Sequence, residues 1–310
     1  MNKIEPKDFS RRDLQLAMSE ASEDSISDLH SHQEKIIKYY EHGRTLRGLT
    51  LPWPSTHSSL RLSKGLSVLG GINGHFKSTI AQQLLLHTAK SFKVGLISLE
   101  MEIPDIAEVL AWQMTGSLEK PPKEVLINKV LPFTKDRFFV FDHIGSLEPM
   151  KALGAVDAMA REGCKLIVLD SMMMTRVSDD QEKEREFTQA LVALSRIHEV
   201  HIMLVHHSIK LATSDDAPPQ RSHFRGSGAI VDVASLAITV WHNKRRAYLE
   251  SKEQSGQKLE AKEKAYMKKA APMLFVVIKN RHSAFEGPIT LYRKGLTFHD
   301  TDKLECDFEL

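Results

Sequence analysis

From about residue 65 onward, two rhythms of apolar residues alternate along the chain. Short apolar runs that end in Gly, His or a carboxylate are GLSVLG, KVGLISLE, RFFVFDH, KLIVLD, HIMLVHH and DVASLAITVWHN. Runs of this length, rich in Val, Ile and Phe, predict buried strands. Between them lie TIAQQLLLHTAKSF, IPDIAEVLAWQMTG, MKALGAVDAMAREG and REFTQALVALSRIHEV, whose apolar positions recur at helical spacing. Gly116 reads as the end cap of the second helix. Strands that alternate with helices predict an α/β fold with a mostly parallel central sheet covered on both faces. MLFVVIKNRH and ITLYRKG have no helix between them and predict antiparallel closing strands.

The first 55 residues follow neither rhythm. Ile36, Ile37, Tyr39 and Tyr40 give one short apolar face in an otherwise polar stretch. LPWP then breaks regular structure. The expected organisation is a short N-terminal helical arm and linker over 1–55, suited to packing against another subunit, and a globular unit over 56–310. A charged insert interrupts that unit at 243–271.

Composition narrows the class. A chain of 310 residues can hold one large core. No run of 18 apolar residues is present, and the N-terminus has no apolar signal segment. Cys164 and Cys306 have no metal-binding spacing and imply no disulfide scaffold; a reducing intracellular compartment is expected. Net charge is 42 minus 40, or +2, so distribution matters more than balance. Lys244–Lys269 holds nine Lys or Arg against four Glu, which reads first as a solvated helix.

Candidate chemistry begins at GGINGHFKST. A glycine-rich loop between a buried strand and a helix cradles phosphates with backbone amides, and the helix N-terminus adds its dipole. Gly71 lies six residues before Lys77. The amides of Gly71, Asn73, Gly74, His75 and Phe76 are candidates to ring the phosphates of ATP. Lys77 would reach the β and γ phosphates, Ser78 would bind Mg²⁺, and Thr79 would support the helix start. Phe76 stands where such loops usually have glycine. It can still supply an N–H if its φ is negative and its ring points away.

Glu100 follows the second strand, one crossover after the loop. It is the candidate to orient or deprotonate water, with Glu102 as local competitor. Asp170 ends KLIVLD and is the candidate acid for ordering Mg²⁺. His206 and His207 end the fifth strand, and from the residues alone either could sense the γ-phosphate.

Taken in order, the loop, SLEME, LIVLDS, LVHH and RGSGAI resemble the motor of hexameric replicative helicases, the RecA-like ATPase of the DnaB type. The resemblance covers about 60–295. It implies an α/β RecA-like P-loop core and ATP hydrolysis at subunit interfaces, coupled to translocation on single-stranded DNA. It places the catalytic glutamate at Glu100 and the sensor at His206. Lys279 and Arg281 would reach a neighbour's γ-phosphate, with Arg293 as the alternative. DNA contacts would fall on Lys210, Arg221, Arg225, Gly226 and Arg176. The implied partners are single-stranded DNA, further copies in a six-membered ring, and a separate primase or loader. The implied location is the cytoplasm of a bacterial cell, with a phage or plasmid source. A RecA-like recombinase and a non-catalytic assembly or loading ATPase are the competing readings.

Overall fold

The structure is a computed structural model and describes residues 28–41, 47–175, 177, 181–207 and 228–302. The chain divides into two compact units, 1–45 and 46–310. In the first, a 3₁₀ turn at His30–His32 leads into helix α1 (Gln33–Glu41).

The second unit is built on one nine-stranded sheet ordered β3-β2-β4-β5-β1-β6-β7-β8-β9. Its strands are β1 (Gly65–Gly71), β2 (Val94–Ser98), β3 (Phe138–Asp142), β4 (Leu166–Asp170), β5 (His201–His207), β6 (Leu236–His242), β7 (Met273–Asn280), β8 (Gly287–Lys294) and β9 (Thr297–His299). The first six in chain order pair in parallel, and β7 to β9 close the sheet antiparallel. The crossovers contain α2 (Lys77–Ala89), α3 (Ile103–Thr115), α4 (Pro149–Arg161), α5 (Gln181–Ile197) and the short α6 (Gly228–Val233). Gly116 ends α3 at φ 57°, and its N–H donates to the Trp112 carbonyl.

Strand periodicity sorts the core into two layers. Leu166, Val168, Met203 and Val205 pack on the face that carries α2 and α3. Ile167, Leu169, Ile202 and Leu204 pack on the face that carries α4 and α5. Cys164 is fully buried against the second layer, and burial pushes its thiol up to about 11.

One expectation shifts at the start of the domain. The second unit begins at Leu46, and Leu51 and Trp53, read above as linker, are buried in its core. Trp53 meets Phe275 edge-on at 4.9 Å, and its indole N–H donates to the Phe298 carbonyl over 2.8 Å. The two prolines break regular structure without taking the segment out of the core.

The charged insert forms helices α7 (Lys244–Gln254) and α8 (Ala261–Lys269). Asn243 caps α7, accepts from Tyr266 and donates to the Ala271 carbonyl. Lys252 bridges to Glu263 at 3.0 Å, and Arg245 lies over the Tyr266 ring at 4.4 Å. Among the described residues, no helix is long and apolar enough to cross a membrane.

Candidate active site

The site forms where the parallel strands end, the edge at which such sheets bind ligands. Gly71 closes β1 with its α-carbon side against β6. A Cβ there would lie 2.6 Å from the Val240 carbonyl oxygen, so only glycine permits the approach. Gly74 has φ 77°, a left-handed conformation natural to glycine. His75 is fully buried, and its Nδ1 accepts the N–H of His242 over 2.9 Å, which ties the loop to the end of β6.

Phe76 departs from expectation. Its φ is +65°, not negative, and it is the N-cap of α2 in the left-handed region. The turn geometry of the loop persists although the glycine is gone. A bulky residue there costs on the order of 1–3 kcal/mol. The ring is seated to offset that cost: T-shaped against His242 at 5.2 Å, tilted against Phe298 at 5.8 Å, and beneath the Arg293 guanidinium at 4.7 Å. Aromatic pairs of this kind contribute about 0.5–1.5 kcal/mol each. At this positive φ the ring points toward the end of β6 and the closing strands.

Lys77 is nearly fully buried, and its Nζ donates to the Ile72 carbonyl over 3.1 Å. Burial lowers its pKa to about 8, against the opposing pull of Asp170 and Glu100. Asp170 is buried at the end of β4, and burial raises its carboxyl to about 6. The Ser78 hydroxyl bonds that carboxylate, and Lys77 also favours its ionised form. A buried carboxylate beside a serine hydroxyl is a hard oxygen pair suited to Mg²⁺. Thr79 stands in the first turn of α2, where its carbonyl accepts from Gln113 over 2.8 Å.

Glu100 lies just beyond β2. The Ser171 hydroxyl donates to its Oε1 over 2.7 Å. The turn that presents it is held by Met101 N–H on the Ser98 hydroxyl and by Leu99 N–H on the Asp170 carbonyl. Glu102 is the exposed N-cap of α3 and plays no part in this cluster.

The two histidines separate by strand parity. His206 shares the face of Ile202 and Leu204, and its Nε2 stands 3.8 Å from Glu184 on α5. His207 points to the α2 side. Its Nε2 is 3.6 Å from Glu100, and its Nδ1 contacts Asn73 of the loop. The histidine beside the loop is therefore His207, not the expected His206. Burial and nearby Lys77 lower its pKa, which keeps the imidazole neutral at pH 7.

Lys279 and Arg281 do not join this cluster. Lys279 pairs with Ala237 at the start of β6, whereas Met273 at the other end of β7 pairs with His242. The separation along β6 is five residues, about 16 Å. Both side chains donate to the carbonyls that end α6: Lys279 to Val231 and Asp232, and Arg281 to Asp232 over 2.7 Å. Arg293, the alternative, lies over its own chain's loop. Lys210, Arg221, Arg225, Gly226 and Arg176 lie outside the described residues. Among the described residues, no group of three or more His, Cys, Asp or Glu side chains could hold a metal ion.

A family profile described as "AAA domain" matches residues 57–213, which is half of the chain. The chain belongs to the AAA domain family. Two solved structures share the fold of this AAA domain. One, described as an "ATPase Domain", matches with TM-score 0.67 and 13% identity, over 87% of this chain and 99% of that one. "The Structure Of A DnaB-Like Replicative Helicase And Its Interactions With Primase" matches with TM-score 0.66 and 12% identity, over 93% of this chain and 70% of that one. No curated protein matches. The fold is thus a RecA-like α/β P-loop ATPase core, with the parallel sheet and antiparallel closing strands expected from the sequence. Missed in the sequence were Ser171, which aims Glu100, and the seat of Phe76. A serine after a strand-end aspartate gave no separate signal.

Proposed function

We propose that this AAA domain is the motor of a ring-shaped, ATP-dependent DNA helicase that translocates on single-stranded DNA. The observation that carries the reading is the separation of two sets of candidate groups along the sheet. Lys77, Ser78, Asp170 and Glu100 gather on one edge of the sheet. Lys279 and Arg281 stand on the other, where their own loop is out of reach. A site divided in this way is completed by a second copy, as a trans arginine requires.

In hydrolysis, Glu100 orients a water and accepts its proton as the oxygen attacks the γ-phosphorus. The bond from the γ-phosphorus to the β–γ bridging oxygen breaks, and ADP and phosphate leave. Lys77 steadies the phosphates. Mg²⁺ would neutralise phosphate charge, and Ser78 and Asp170 are the residues that would hold it. Arg281 from the neighbour would balance charge in the transition state.

Imaging with ATP and single-stranded DNA, paired with ATPase assays with and without that DNA, tests the reading. Closed rings and DNA-stimulated hydrolysis are expected. Filaments would favour a recombinase, and absent hydrolysis a passive assembly factor; either result sinks the proposal.

A further inference from the structure

Three side chains seat the ring of Phe76, and they differ in kind. Phe298 is fully buried in β9, and its carbonyl is held by the Trp53 indole and by Gln83. His242 ends β6, and its N–H is bound by His75. These two are parts of the core wall. Arg293 is exposed on β8, and among the described residues it makes no ion pair. Its guanidinium is placed against the Phe76 ring. Burial and the nearby Arg293 lower the pKa of His242, so a neutral imidazole stands beside the cation and does not repel it.

A planar guanidinium stacks on an aromatic face without losing its hydration altogether, and arginine suits that position better than lysine. Nothing else in the described structure uses this arginine. The ring beneath it belongs to the one loop residue whose backbone conformation its own side chain disfavours.

We infer that Arg293 is a positioning residue for the phosphate loop. It acts through the Phe76 ring to hold the left-handed turn that a glycine would adopt unaided. In this role Arg293 acts on the turn and not on the nucleotide. The inference rests on the reading that this loop binds ATP, and it adds a residue to that site from the far end of the chain. It also accounts for the pairing of an unusual loop residue with an arginine near the other end of the chain.

A double-mutant cycle on the full chain tests it, with calorimetry of a non-hydrolysable ATP analogue plus Mg²⁺ and steady-state ATPase kinetics. Arg293→Ala should weaken binding about three- to fivefold, the size of one exposed cation–π contact. The change should fall on KM, with kcat held within about twofold. Arg293→Lys should recover part of the loss. In a Phe76→Gly background, Arg293→Ala should have no further effect, because glycine needs no support. Phe76→Asn, which tolerates the same backbone conformation without a ring, repeats the test should Phe76→Gly fold poorly. An equal loss in both backgrounds would show that Arg293 contacts the nucleotide directly, and no loss would show an idle surface arginine; each overturns the inference alone. Failure of the wild-type chain to bind the analogue overturns the nucleotide reading and this inference with it.

Discussion

Ser171 Oγ donates to Glu100 Oε1 over 2.7 Å, so the residue that follows Asp170 aims the carboxylate beyond β2. The serine is fully buried and the glutamate half exposed, and Ser171 and His207 both meet the same carboxylate oxygen, Oε1. A carboxylate oriented through one oxygen is suited to position a water with the other. Glu100→Gln should retain ATP binding and lose hydrolysis by a factor on the order of 10²–10⁴. Ser171→Ala should cost about tenfold, the worth of one hydrogen bond to a charged group. Glu102→Gln should leave the rate unchanged. Single-turnover hydrolysis measures all three, and a normal rate in Glu100→Gln would move the base elsewhere.

The histidine pair separates by effect. His207→Ala removes the side chain that touches both Asn73 and Glu100, so turnover should fall while ATP binding persists. His206→Ala opens a buried position beside Glu184 and should lower the unfolding midpoint, with little change in turnover per folded molecule. Parallel melting curves and rates check this. Reversed outcomes would restore His206 as the sensor.

Arg281 can be assigned to a neighbouring site by mixing. Arg281→Ala and Glu100→Gln should each be nearly inactive alone. In mixed assemblies some interfaces combine an intact Glu100 with an intact Arg281, so partial ATPase activity should return. Nucleotide occupancy measured alongside separates true rescue from altered binding. Full activity of Arg281→Ala alone would remove it from catalysis.

The pKa values of Lys77 and Asp170 set a pH window. Lys77 is protonated below about 8, and Asp170 is ionised above about 6. The free enzyme holds both charges between those values, so kcat/KM for Mg-ATP should be bell-shaped, falling about tenfold per pH unit outside them. Asp170 also has a stability consequence. Its folded pKa is raised, so the stability this group contributes is full below the unfolded value of 3.8 and is lost as pH rises through about 6. Asp170→Asn should therefore stabilise the fold at pH 8 by an amount on the order of 1–3 kcal/mol, seen as a higher unfolding midpoint there and not at pH 4. Thermal melts at both pH values, with hydrolysis lost in the variant, check the pair of claims.

The sheet and the places of the two candidate carboxylates were legible because the apolar runs of β2 and β4 stop at or just before a carboxylate. Asp170 after LIVL and Glu100 after ISL need only the rule that parallel sheets bind ligands at their carboxyl ends. The choice between His206 and His207 needed strand parity relative to α2, which an unbroken apolar run followed by two histidines does not reveal. Phe76 was harder still. Its left-handed backbone survives because His242, Phe298 and Arg293 meet it from remote parts of the chain, and only the folded topology brings them there.

Trp53 sits against Phe275, with its indole bonded to the carbonyl of Phe298 in the last strand of the sheet. A truncation that starts at residue 56 would remove this anchor and leave an open hole in the core. Loss of a buried tryptophan costs about 3–5 kcal/mol, a large share of the stability of an ordinary domain. The smallest piece of this chain to express as a folded ATPase therefore begins before Leu49, whose backbone bridge to Leu62 starts the segment that carries Trp53 into place.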